Sequence, residues 1–166
     1  MDCLLFRHGI AVEREDWDGQ EAERPLTRKG AEKARDAAVG LRRLDIAPTH
    51  VLSSPFTRAL ETAKLVGELF RLADVKVCDE LLPDAPPDKL FPLLASLPED
   101  ACVICVGHEP HLGLAAGVML FGRPAPGLSL KKAGACCIRF DDGPKAGKGA
   151  LWWWLTPDQL RRLRKP

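Results

Sequence analysis

The chain has 166 residues, 46% of them hydrophobic, which is the size and apolar content of one domain that can bury its own core without staples. Its 24 lysines and arginines nearly balance its 23 aspartates and glutamates, so no overall charge favours nucleic acid or an anionic membrane, and any basic site must be local. With no secretory leader pattern and no run of eighteen apolar residues, the expectation is one domain over residues 1–166, cytoplasmic, without a nucleic-acid or membrane partner, and by default a monomer.

Residues 3–6 form a short apolar run that stops at Arg7, His8 and Gly9, the pattern of a buried strand delivering polar residues to a loop. Residues 13–23 are acidic and polar around a lone Trp17, and read as a surface loop able to flank an entrance. Thr27 then caps a predicted helix over 28–44, with Ala34, Ala37, Ala38, Leu41 and Leu44 on one face. A second strand is predicted over 49–52. Behind it, Ser54 and Pro55 have the chemistry of a helix N-cap and first helical position, and Phe56, Leu60, Ala63, Val66 and Phe70 give that helix its buried stripe. Arg58 lies in the first turn and off the stripe, facing whatever the helix amides face.

A third strand is predicted over 75–78, then a proline-rich turn over 82–87 and a helix carrying Leu90, Leu93, Leu94 and Leu97. Residues 102–106 are the clearest buried strand, and they end at Gly107, His108, Glu109 and Pro110. A helix with Leu112, Ala115, Ala116 and Met119 follows. Residues 135–140 and 150–155 predict a closing hairpin with a long connection, and Thr156 with Gln159 predicts a capping box on a last short helix. The alternation of strands and helices predicts an α/β fold: one three-layer domain with a mainly parallel sheet flanked by helices. Strand order is not legible in the pattern.

Six cysteines stand at 3, 78, 102, 105, 136 and 137. Cys102 and Cys105 make a C-x-x-C, yet their apolar strand context predicts inert buried thiols rather than a redox pair. His108 and His111 have no second ligand cluster at zinc spacing, so neither a metal site nor a cofactor is expected. His111 reads as a simple helix-start residue, with a place on the pocket rim or a substrate contact as the alternative. Trp152, Trp153 and Trp154 read as core and edge packing rather than a base-stacking platform, and the basic tail from Arg161 to Lys165 as a solvated helix end.

In a parallel sheet the strand ends converge, and α/β folds place ligands there. Arg7, His8, Arg58 and His108 all fall at such ends and describe a site for a small dianion such as a phosphoryl group. Arginine suits the task because its planar fork holds two phosphoryl oxygens at once. A histidine attacks phosphorus only as neutral imidazole, which requires an acceptor, commonly a backbone carbonyl, on its other nitrogen; Gly9 permits a close backbone approach.

Phe6-Arg7-His8-Gly9, Ser53-Ser54-Pro55 with Arg58, Glu61, Thr62 and Ala63, and Val106-Gly107-His108-Glu109-Pro110 resemble, in order and spacing, the three motifs of the histidine phosphatase superfamily. Arg24-Pro25-Leu26-Thr27 with Gly30 is similar to the helix entry of its short, SixA-like phosphohistidine phosphatase branch. The resemblance covers essentially the whole chain. It implies a phosphoglycerate-mutase-like fold without a large capping insertion, and a metal-independent phosphatase with a phosphohistidine enzyme intermediate. It further implies His8 as nucleophile and Arg7, Arg58 and His108 as the phosphoryl cage, with Gly9 and Glu109 at the substrate. The expected substrate is phosphohistidine on a phosphotransfer protein, with a small phosphorylated metabolite as the alternative and a silent phosphate-binding module as a third reading. The larger relatives' catalytic glutamate has no clear equivalent: Asp84 and Glu80 are the candidate general acids. A phosphoramidate, whose leaving ring is readily protonated, makes the smaller demand on such an acid.

Overall fold

The computed structural model describes residues 1–72 and 74–164; Lys165, the last cation of the basic tail, lies outside them. Along β1 (Asp2–Arg7), Cys3 and Leu5 point to one side and Leu4 and Phe6 to the other, and all four are fully buried. A strand apolar on both sides needs a helical layer on each. The Leu4 and Phe6 side is covered by α1 (Arg28–Leu41), α2 (Thr57–Phe70) and α5 (Pro157–Leu163), through Ala34, Ala38, Ala59, Val66 and Leu160. The Cys3 and Leu5 side is covered by α3 (Leu90–Ala95) and α4 (His111–Phe121), through Leu90, Leu94, Leu112 and Met119.

The sheet also contains β2 (His50–Ser53), β3 (Val75–Val77), β4 (Cys102–Gly107), β5 (Ala135–Arg139) and β6 (Ala150–Leu155), in the spatial order β3-β2-β4-β1-β5-β6. The first four in that order run parallel, and β5 and β6 close the sheet antiparallel. The result is the expected three-layer α/β domain. No described helix is long and apolar enough to cross a membrane.

Several local expectations change. Helix α1 stops at Leu41 rather than 44, because the chain tightens there into three-residue turns, Arg43 N–H to Gly40 O and Leu44 N–H to Leu41 O. Helix α2 begins at Thr57, and its N-cap position, Phe56, makes no side-chain capping bond, so Ser54 is not the cap. Its buried face is rotated from the predicted stripe: Ala59, Thr62, Ala63, Val66 and Gly67 are buried, whereas Phe56, Leu60 and Phe70 are only partly so. The rotation carries Arg58 inward, to 5% exposure, where ionic partners replace water. Strand β3 ends at Val77, and Leu97 lies beyond α3.

Trp153 and Trp154 pack on opposite faces of the sheet. Trp152 is the extra residue at a register shift opposite Cys137 and Ile138, and it lies 61% exposed beneath the Arg139 guanidinium, 4.2 Å away. All six cysteines are free thiols. Cys102 and Cys105 belong to opposite faces of β4, and burial pushes the Cys102 thiol up to about 11.

Gly30 sets the seam between α1 and the loop after β1. A Cβ there would stand 1.9 Å from the Ile10 carbonyl oxygen, which is backbone and cannot swing aside. Gly30→Ala should therefore destabilise the fold by about 1–3 kcal/mol, the range for forced overpacking, as read by denaturant unfolding.

Candidate active site

Parallel pairing of β1 with β4 sets Arg7 opposite Gly107, and the His8 N–H extends the ladder to the Gly107 carbonyl at 3.0 Å. Each strand therefore delivers a histidine at the same level. The His8 and His108 rings stand 5.0 Å apart between centroids, tilted by 57°. Strand β2 lies on the other side of β4, and the chain leaving it supplies Ser54 and then Arg58.

The His8 ring is 6% exposed, and its Nδ1 lies 2.7 Å from the Gly9 carbonyl oxygen. A carbonyl only accepts, so Nδ1 carries the proton and Nε2 keeps its lone pair. Arg58 Nε donates to that Nε2 at 3.3 Å. Burial, opposed by the Gly9 bond and reinforced by Arg58, Arg7 and Lys132, brings the His8 pKa down to about 3. A neutral, oriented imidazole with its lone pair toward a guanidinium is the form able to attack phosphorus.

Arg58 Nη1 donates to the Glu21 carbonyl at 3.1 Å, and Nη2 lies 3.0 Å from Glu21 Oε1. The stretch expected as a plain surface loop thus contains two short helical turns, Arg14–Asp16 and Glu21–Glu23, and the second is tied to the site. Arg7 Nη1 donates to the Leu130 carbonyl at 2.7 Å, while its Nε is buried without a partner. His108 is 2% exposed; its Nε2 meets the Ser54 hydroxyl at 2.8 Å, its Nδ1 has no partner, and burial first, then neighbouring cations, bring its pKa down to about 2.

Other predicted residues play different parts. The Gly9 N–H donates to Thr62 Oγ1 at 3.1 Å, and a Cβ on Gly9 would stand 3.1 Å from both Ala34 Cβ and the Gly30 carbonyl oxygen. Its close approach is to α1. Glu109 accepts from the Leu130 N–H at 2.8 Å and the Gly113 N–H at 3.3 Å, so its carboxylate fixes the segment that orients Arg7. Burial pushes the Glu109 carboxyl up. Asp84 is exposed and Glu80 half-exposed on the turn Asp79–Leu81; among the described residues no hydrogen bond or ion pair joins either to the cage. His111 is the first residue of α4, but it is 1% exposed rather than on the rim, and neither ring nitrogen has a partner.

Sequence reasoning missed Ser54 as the partner of His108, Glu21 as the partner of Arg58 and Lys132 as a neighbour of His8. The helix-entry motif does carry a signal. Arg24 Nη1 donates to the Val12 carbonyl, the Leu26 N–H to Glu61 Oε2 and the Thr27 N–H to the Ile10 carbonyl, so this motif clamps the loop that follows His8. Among the described residues no three His, Cys, Asp or Glu side chains gather where they could hold one metal ion.

Three buried histidines have pKa values held below the ordinary 6.5: His8 at about 3, His108 at about 2 and His111 at about 4. The unfolded chain therefore binds more protons below pH 6.5, and stability present above that pH is lost as pH falls toward 4. Denaturant unfolding at stepped pH should show proton uptake by these histidines near pH 5, each contributing at most about 1.4 kcal/mol per pH unit, opposed by the raised Glu109 carboxyl. His111→Leu should remove one of those protons.

A sequence profile of the histidine phosphatase superfamily (branch 1) matches residues 3–82. An uncharacterized protein of Picosynechococcus sp. is 35% identical over 144 residues, covering 84% of this chain and 85% of that protein. The phosphohistidine phosphatase SixA of Escherichia coli is 26% identical over 167 residues, covering 99% of each. A structure of the protein histidine phosphatase SixA complexed with tungstate superposes with a TM-score of 0.83 at 26% identity, over 96% of this chain and 99% of that one. A phosphoserine phosphatase of Entamoeba histolytica shares the fold, with a TM-score of 0.71 at 16% identity over 96% and 98%.

Proposed function

The chain belongs to the histidine phosphatase superfamily, and we propose that it hydrolyses phosphohistidine on a protein, through a phosphorylated His8 and without a metal ion. The observation that carries this reading is the His8 tautomer: Nδ1 is held by the Gly9 carbonyl, which leaves Nε2 unprotonated, its lone pair toward Arg58, inside a cage of two arginines and a second histidine. The likeness to SixA along the full chain supports the substrate, and that relative's complex with tungstate, a tetrahedral oxyanion like phosphate, supports a phosphoryl ligand.

In the proposed reaction, His8 Nε2 attacks phosphorus and forms an N–P bond as the substrate's own N–P bond breaks. The leaving imidazole needs one proton, which its second ring nitrogen can already carry, so the reaction does not depend on Asp84 or Glu80 as an acid. Water then attacks the phosphorus on His8, releasing phosphate and restoring neutral imidazole. Arg7 and Arg58 hold the non-bridging oxygens as charge shifts onto them, the role a metal ion plays elsewhere. Ser54 donates its hydroxyl proton to His108 Nε2, which puts the ring proton on the unpartnered Nδ1 and leaves that N–H to donate to a phosphoryl oxygen. Thr62, which receives from Gly9 N–H and donates to the Arg58 carbonyl, braces the nucleophile against the clamp.

A phosphomonoester of a small metabolite is the second reading, favoured by the fold shared with the Entamoeba phosphoserine phosphatase. An alkoxide leaving group requires a proton donor, and Asp84→Asn would then lower the rate. The wild-type protein with EDTA throughout should release phosphate from a phosphohistidine-bearing protein in preference to an aryl phosphate, and yield a trapped phosphoenzyme. His8→Ala should abolish both, and Arg58→Ala should cost about 10²–10³-fold in kcat. Release from the aryl phosphate alone would replace the phosphohistidine reading with the second one, and unchanged release by His8→Ala would end both.

A further inference from the structure

We infer that the groove beside Arg7 is a docking surface for acidic side chains of the substrate protein; this rests on the phosphoprotein reading above. The groove has a volume of about 380 Å³ and is continuous with the site through Arg7. Its walls come from three separate parts of the chain: Lys33 of α1, Lys131 and Lys132 of the segment before β5, and Arg161 of α5. Among the described residues Asp158 is the one carboxylate in its lining, and it is taken by Arg161. Among the described residues none of the three lysines is ion-paired.

A chain with a formal net charge of only +1 has therefore gathered unpaired cations at one edge of its active site. The segment that reaches Arg58 has the opposite sign: exposed Glu13, Glu15, Asp16, Asp18 and Glu23 outnumber Arg14 and Arg24 along it, and its Glu21 holds Arg58. An acidic segment at Arg58 and a basic groove at Arg7 favour one orientation of a docking partner and suppress the reverse.

The type of cation indicates the type of anion. A built phosphate site uses backbone amides and guanidinium forks; here the two guanidinium groups are engaged, Arg7 by the Leu130 carbonyl and Arg161 by Asp158, and the unpaired cations are lysine ammonium groups on flexible stems, partly or fully exposed, beside apolar Ile10 and Ala133. Mobile point charges over an apolar floor suit carboxylates spaced along a protein surface. The Lys132 charge acts on the protonation of His8, and Arg7 lines both the groove and the site, so the groove opens beside the phosphoryl position.

The test uses short fluorescent peptides carrying a stable phosphohistidine analogue flanked by Glu, Gln or Lys, with binding read by anisotropy on wild-type protein and on Lys33→Glu/Lys131→Glu. Turnover of the small substrate phosphoramidate reports whether the variant's fold and cage are intact, and Lys33→Gln/Lys131→Gln serves if the charge reversal fails to fold. The expected result is about tenfold tighter binding of the Glu-flanked peptide than the Gln-flanked one at low salt. That advantage should vanish in the variant and at high salt, with phosphoramidate turnover unchanged. Equal affinity for the three peptides, or an advantage the variant keeps, would overturn the assignment. So would a loss confined to inorganic pyrophosphate used as competitor, which would make the groove a second phosphate subsite. Tight, lysine-dependent binding of the Glu-flanked peptide by a protein that releases no phosphate from true phosphohistidine would remove the reading above and leave the groove assignment in place.

Discussion

The His8 N–H bond to the Gly107 carbonyl continues the β1 and β4 ladder one rung beyond the strands, and the site depends on that rung. Side chains alternate along a strand, so a one-residue slip in this pairing would turn one histidine away from the other. The register is held by burial rather than by the polar residues: Leu4, Leu5, Ile104 and Cys105 are all fully enclosed, and a slip would move them to the wrong layers. An apolar core with no chemistry of its own thereby fixes the distance between the two histidine rings.

Around that rung the chain builds a collar of backbone acceptors. The segment 130–134 wraps the end of β1: Gly134 and Leu130 offer carbonyls to Arg7, and the Ala133 N–H donates back to the Arg7 and His8 carbonyls. Ala133 does so with φ of 62°, a left-handed conformation costing an alanine about 1 kcal/mol, which the four bonds of this segment offset. Glu109 secures the same segment from the far side, so the position of Arg7 is set two contacts away from the site, through Leu130.

The collar has an electrostatic consequence. Arg58, His8 and His108 are nearly withdrawn from water, and desolvation drives both histidines to their neutral forms, while among the described residues only Glu21 compensates Arg58. Neutral imidazoles beside permanently charged guanidinium groups are what phosphoryl transfer through histidine requires, and the same burial makes the fold sensitive to acid. Function and pH-dependent stability therefore have one cause.

What the sequence determined by itself were the features that repeat along one strand or one motif. The double-sided apolar run at 3–6 dictated a helix layer on each face, and the order of strands and helices dictated the α/β class. Arg7, His8, Arg58 and His108 were legible because their types and spacing sit at strand and helix ends. The tertiary structure alone decided which partners those residues meet. Ser54 has the composition of a cap, yet it is drawn to His108 because β2 and β4 lie side by side, a neighbourhood that strand order sets and local pattern does not. Glu21 looks like one more acid in a solvated loop until α2 turns Arg58 inward beneath it. The lysines at 33, 131 and 132 are unremarkable in a chain of balanced charge, since only folding brings cations from distant segments to one edge. Periodicity reports what an element buries, whereas contacts between elements follow from how the layers close.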